Sequence, residues 1–214
     1  MGLRGALVAM ALAVVGALAG GLVAGSRSDA PAAFGPPVPV AAASPAVPTD
    51  PPVEISPDPD YPALVRGLPT TRVVVGTAPF TLSVPIPDGW VRSDSAAGEW
   101  RWFPGPPDDV KYTYFLRVRL IGNDYQSIES ALTSRIAALE SATAVEDLDV
   151  EYRSRDTFVS TYVEGGYKRV SYERFIGTGP ADPTAYASIA VIGRESDRDG
   201  LSALLEKVTA GARA

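Results

Sequence analysis

The chain reads as an α+β protein, a central antiparallel sheet flanked by helices, preceded by a transmembrane or signal segment and a Pro-rich linker. Three observations carry that reading. Apolar residues alternate with period two over residues 72–120 and again after 147; one apolar stripe with helical spacing interrupts them between 125 and 139; and Gly165-Gly166 joins two of the later strand-like runs. Helices placed between groups of antiparallel strands are the order expected when helices pack on a sheet.

Taken from the N-terminus, Gly5 to Gly25 are 21 residues without a charge, preceded by Arg4, and roughly 20 apolar residues cross a bilayer as a helix. Arg4 and the amine outweigh Arg27 beside Asp29, so the positive-inside bias puts everything after residue 26 outside the cytoplasm. The competing reading is a signal peptide cleaved after Val23-Ala24-Gly25. The expected location is the cell membrane, single-pass with the C-terminal domain extracytoplasmic, or secretion after cleavage. Residues 26–65 are rich in proline, interleaved with Ala, Val and acidic residues. Each proline fixes its own φ and removes a donor, so this stretch reads as a disordered, extended linker that builds no core. Residues 66–214 are left for the domain.

Within the domain, RVVVG (72–76) and APFTLSVP (78–85) read as strands, IPDGW ends a turn at Trp90, and EWRWF (99–103) puts Trp100 and Trp102 on one face. After PGPPDD comes a long strand, VKYTYFLRVRLIG. Its alternation places Tyr112, Tyr114, Leu116, Val118 and Leu120 on one face and Lys111, Thr113, Phe115, Arg117 and Arg119 on the other. Asn123 and Gln126 have capping-box spacing, and Tyr125, Ile128, Leu132, Ile136 and Leu139 draw one stripe of a helix reaching about Ser141. Strands return from Asp147 as LDVEYRS, TFVSTYVE and YKRVSYERFIG, the last two joined by the Gly-Gly pair as a two-residue hairpin. TAYASIAVIGRE is a further strand, and Ser196 to Asp199 opens a last helix with Leu201, Leu204, Leu205 and Val208 on one face.

Composition restricts the chemistry. There is no histidine and no cysteine in 214 residues, which removes the serine triad, the thiol nucleophile and the usual zinc ligands. A formal net charge of −6 argues against nucleic acid as a partner. No phosphate-loop motif is present, since GTGPAD (177–182) lacks a following helix start and carries Pro180. No cofactor and no metal is expected. Carboxylate chemistry needs only two Asp/Glu, so Asp108-Asp109 and Glu146-Asp147-Asp149-Glu151 keep a carboxylate-dependent cell-envelope hydrolase as the alternative function.

FTLSVPIPDGW, the EWRWF strand, the long strand followed by a helix, the Gly-Gly hairpin with YKRVSYERF, and the terminal GRESDRDGLSALLEKV together resemble the PsbP-like fold over residues 68–212. The resemblance is closest to the LpqN-type domains of actinobacterial envelope proteins. It implies an antiparallel sheet with flanking helices, used as a non-enzymatic accessory or partner-binding module in photosystem support, Ran GTPase binding and envelope assembly, with no shared catalytic set. LpqN-type lipoproteins carry a lipidated N-terminal cysteine that this chain lacks.

The candidate binding residues lie on the polar face of the long strand. Phe115, Arg117 and Arg119 alternate outward and could combine with Arg169 or Arg174 from neighbouring strands, since arginine beside an aromatic suits contact with a protein or an anionic ligand. The competing reading pairs these arginines with Glu151 or Glu173. The function expected is a non-enzymatic extracytoplasmic accessory or binding module, tethered to the envelope and engaging an envelope protein partner or ligand. A purely structural stalk cap is a third reading.

Overall fold

The computed structural model describes residues 52–106, 108–121, 126–179 and 181–214. Gly5–Gly25, most of the linker, and the Asn123 cap lie outside the described residues. No helix among the described residues is long and apolar enough to cross a membrane.

The α+β architecture with a central antiparallel sheet is present. Seven strands pair in the order β3-β4-β5-β9-β8-β7-β6, where β3 is Val91–Ala96, β4 Glu99–Phe103, β5 Phe115–Leu120, β6 Val145–Arg153, β7 Thr157–Glu164, β8 Tyr167–Ile176 and β9 Ala187–Gly193. The remaining strands, β1 (Thr70–Thr77) and β2 (Phe80–Pro87), form a hairpin of their own. Their alternation predicted strands correctly but could not show that they leave the main sheet.

Two layers cover the sheet. Helix α2, Arg198–Gly211, lies with the β1-β2 hairpin on one face, burying Leu82, Val84, Leu116, Val118, Ile189, Val191, Leu201 and Val208 together. Helix α1, Ile128–Glu140, packs on β6 and β8 from the other side, where Leu132, Ile136 and Leu139 meet Phe158 and Phe175. Full burial of each such side chain contributes about 1.5–3 kcal/mol. Opposite faces are required here because Val170 and Phe175, five positions apart on β8, must point apart on a period-two strand.

Local chemistry explains the turns. Gly165 (φ 59°) and Gly166 (φ 82°) both occupy the left-handed region and connect Glu164 directly to its partner Tyr167. That is the geometry a two-residue hairpin requires, and it costs glycine little. Helix α1 begins later than its apolar stripe suggested. Its cap is Ser127, whose Oγ accepts from Ser130 N at 3.1 Å, while Gln126 precedes the helix.

The long strand is also shorter than expected. Pairing begins at Phe115, because Val110–Tyr114 is a turn in which Thr113 N and Oγ1 both donate to Val110 O and Tyr112 has φ 63°. The alternation of Tyr112 and Tyr114 mimicked strand without a neighbour to pair with. Beyond the helix, β6 starts at Val145 rather than after Asp147, and Asp147 (φ 51°) lies at an irregularity in its pairing with β7.

Residues 56–64 fall in the stretch read as linker, yet they are bonded to the domain. Ser56 N donates to Gly166 O, Leu64 N donates to Asp197 Oδ1 at 2.8 Å, and Leu64 is buried in the core. Arg194 holds the strap with a fork of donors, Nη1 to Pro59 O and Tyr61 O and Nη2 to Pro62 O. Its Nε and Nη2 pair with the two oxygens of Asp197, both at 2.9 Å. Prolines here remove donors but leave carbonyls free, and a planar guanidinium fits a run of carbonyls.

Candidate functional site

Strand register decides which polar residues meet. Arg117 stands opposite Ala190, and Ala190 stands opposite Glu173, so Arg117 and Glu173 share the α1 side of the sheet with one small residue between them. The alanine leaves space for a long arginine to cross a strand. Arg117 Nη2 reaches Glu173 Oε2 at 2.9 Å, and Arg135 Nε of α1 reaches the same oxygen at 3.2 Å.

Phe115 and Arg119 flank Arg117 on that face. The Phe115 ring stacks on Phe103 of β4 at 5.2 Å between centroids, and the Arg101 guanidinium lies 5.6 Å over Phe115 while pairing with Glu99 at 2.7 Å. Arg119 stands opposite Glu99 on β4 and Ser188 on β9, and its guanidinium has no hydrogen-bond or ion-pair partner among the described residues. Across this β4-β5 part of the face no described helix is packed, since α1 covers β6 and β8.

Charge and burial set the protonation. Burial opposes ionisation of Glu173, but Arg117 and Arg135 outweigh it and hold the carboxyl below the usual glutamate range. Burial likewise works against the charge of Arg117, and Glu173 overcomes it. For Arg119 burial lowers the pKa, Glu173 counters in part, and the nearby Arg135 and Arg117 push the same way as burial. Glu173 is 1% exposed with Oε1 unpartnered, and the buried hydroxyls of Ser160 and Ser188 are unpartnered on the same face. Ser188 leans toward the Glu173 carboxylate without reaching hydrogen-bond geometry.

Of the four sequence candidates, Phe115, Arg117 and Arg119 are brought together. Arg169 shares their face but is 2% exposed, with its guanidinium spanning the Tyr112 and Thr113 carbonyls. It closes the turn before β5 and does not reach the surface as a contact residue. Arg174 points to the opposite side, where it donates to Thr157 Oγ1 and Thr209 Oγ1. Glu173 is an arginine partner, as the competing reading had it, whereas Glu151 pairs with Arg198 at 2.7 Å.

Sequence reasoning missed Arg135 and Arg101. The signals were present: Arg135 lies three residues after Leu132 and four before Leu139, on the flank of the buried stripe, and Arg101 separates two tryptophans that face the other way. The tryptophans belong to the core, with Trp102 buried and Trp90 and Trp100 packed against it. The acidic groups that a hydrolase would need lie apart from this face: Asp108 and Asp109 are exposed in a turn, and Glu146, Asp147, Asp149 and Glu151 are exposed on the edge strand β6. A cleft of about 790 Å³ opens at the far end of β8, where Asp182 accepts from Thr178 and Thr184 and is drawn down to about 2. No group of His, Cys, Asp or Glu among the described residues could hold a metal ion.

Searches of family models, curated proteins and solved structures give no match to the chain.

Proposed function

We propose that this chain is a non-enzymatic extracytoplasmic accessory or binding module, held at the cell envelope through its N-terminal segment, that engages an envelope protein partner or ligand through the β4-β5 face. The observation that carries this is the half-buried patch of Phe103, Phe115, Arg101 and Arg119, beside the part of the sheet that α1 covers at β6 and β8. Aromatic and arginine side chains in a partly desolvated patch are the composition of an interface centre. The missing histidine and cysteine, and the uncharged run before the linker, support the non-enzymatic and tethered parts. The PsbP-like resemblance supports an accessory role.

The test is in-cell cross-linking of the tagged full chain, followed by mass spectrometry of the membrane fraction. The informative variant is Arg101→Ala/Arg119→Ala, because Arg119 has no hydrogen-bond or ion-pair partner among the described residues and the Arg101 pair is partly exposed. Arg117→Glu is unsuitable, since it would set two carboxylates against one another in the sheet. The double variant is expected to fold with only a small loss of Tm, that of the partly exposed Arg101-Glu99 pair, and to lose its cross-linked partners. Retention of every partner would remove this face as the contact surface.

A further inference from the structure

The patch carries more positive charge than its own described carboxylates neutralise. Among the described residues four guanidiniums (Arg101, Arg117, Arg119, Arg135) meet two carboxylates (Glu99, Glu173), an excess of two charges. Glu164, exposed at the end of β7, acts on Arg117 only as a weaker, more distant charge. Hydrogen bonding shows the same imbalance. A guanidinium has five N–H donors, yet Arg117 and Arg135 each direct one to Glu173, both onto Oε2, and Arg119 directs none to any described residue.

The Arg117 and Arg135 side chains are 12% and 18% exposed, so they are largely stripped of water while still reachable from solvent. Donors held in a partly desolvated cluster gain more from an added anionic acceptor than donors in open water.

We propose that Arg117, Arg119 and Arg135 bind the doubly charged phosphate of a small organic phosphomonoester, its organic part lying against the Phe103-Phe115 stack. The inference rests on the binding-face reading above and names the ligand of that face. Charge selects the group: a carboxylate would neutralise only one of the two excess charges, and a phosphodiester likewise carries one per phosphate. A phosphomonoester carries close to two at neutral pH, with three acceptor oxygens to match several guanidinium forks. Polyanionic strands are disfavoured by the net charge of −6 on the whole chain.

Calorimetric titration of the purified full chain in detergent, at constant ionic strength, tests this with inorganic phosphate, phenyl phosphate and benzoate as probes. Phenyl phosphate is expected to bind tightest, inorganic phosphate next, and benzoate at least tenfold more weakly than phenyl phosphate. Arg119→Ala should lower phenyl phosphate affinity about tenfold or more while leaving the ligand-free Tm unchanged. Arg92→Ala, which removes an exposed arginine paired with Asp94 on the opposite side of the sheet, should change neither. Absence of saturable phosphate binding, or equal binding by Arg119→Ala, overturns the site. If cross-linked partners are lost in Arg101→Ala/Arg119→Ala while the wild type binds no phosphate, the site fails and the protein-contact face stands; if the wild type binds phosphate but the variant keeps every partner, the contact face fails and the site stands.

Discussion

Replacing Glu173 by glutamine isolates the charge that organises the candidate site. The substitution keeps size and shape but leaves Arg117 and Arg135, which now reach one oxygen at 2.9 and 3.2 Å, without a counter-charge. A hydrogen bond to a charged group contributes about 1.5–3 kcal/mol net, and breaking a buried ion pair costs about 3–5 kcal/mol. Glutamine still offers one carbonyl oxygen, and the two guanidiniums can turn partly to water. The expected loss is therefore about 3 kcal/mol at neutral pH, or about 6–12 °C in Tm. The sign with pH is fixed by the direction of the shift. Glu173 is held below its unfolded value, so its stabilisation is complete above the unfolded pKa of about 4.3 and drains away as pH falls through the folded value. Urea unfolding of both proteins should show their difference constant from about pH 7 to 5 and narrowing below about pH 4. A difference under about 0.5 kcal/mol at neutral pH, or one unchanged in acid, would refute the assignment of Glu173 as the ionised centre of the cluster.

Two further outcomes follow from the packing. Asp197→Asn should cost about 3–5 kcal/mol, because Asp197 is fully buried and answers Arg194 and the Leu64 amide together; limited proteolysis should then cut between residues 56 and 64, which the wild type protects. Gly165→Ala should cost at least about 1–2 kcal/mol, since its φ of 59° is left-handed and the new Cβ would lie 2.6 Å from Tyr112 Oη. Its urea midpoint should fall, with the Tyr112-Tyr167 ring stack, now at 4.2 Å, displaced in aromatic chemical-shift spectra.

Much of the fold was legible locally. TFVSTYVE and YKRVSYERFI form strands over the expected stretches, because two adjacent glycines can take the paired positive φ values that the hairpin needs. The stripe Ile128, Leu132, Ile136, Leu139 drew α1 correctly but not its start, since capping depends on which hydroxyl reaches a free amide, and Ser127 does so. Alternation over Tyr112 and Tyr114 was misleading for a related reason: a period of two describes side-chain direction, whereas a strand exists only where a neighbour supplies hydrogen bonds.

By itself the sequence determined which residues share a face, where the chain turns and which chemistries are out of reach without histidine or cysteine, because all three follow from local geometry and composition. The tertiary structure alone decided that Glu173 meets Arg117, 56 positions away, and Arg135 from a helix, while Arg119 has no hydrogen-bond partner among the described residues and Arg169 is drawn into a turn. It also decided that Arg194 clasps residues 59–62 of the proline-rich strap. The physical reason is register: sheet pairing brings distant residues to within hydrogen-bond reach, and burial then settles which charges must be neutralised, neither of which is written in the spacing of neighbours along the chain.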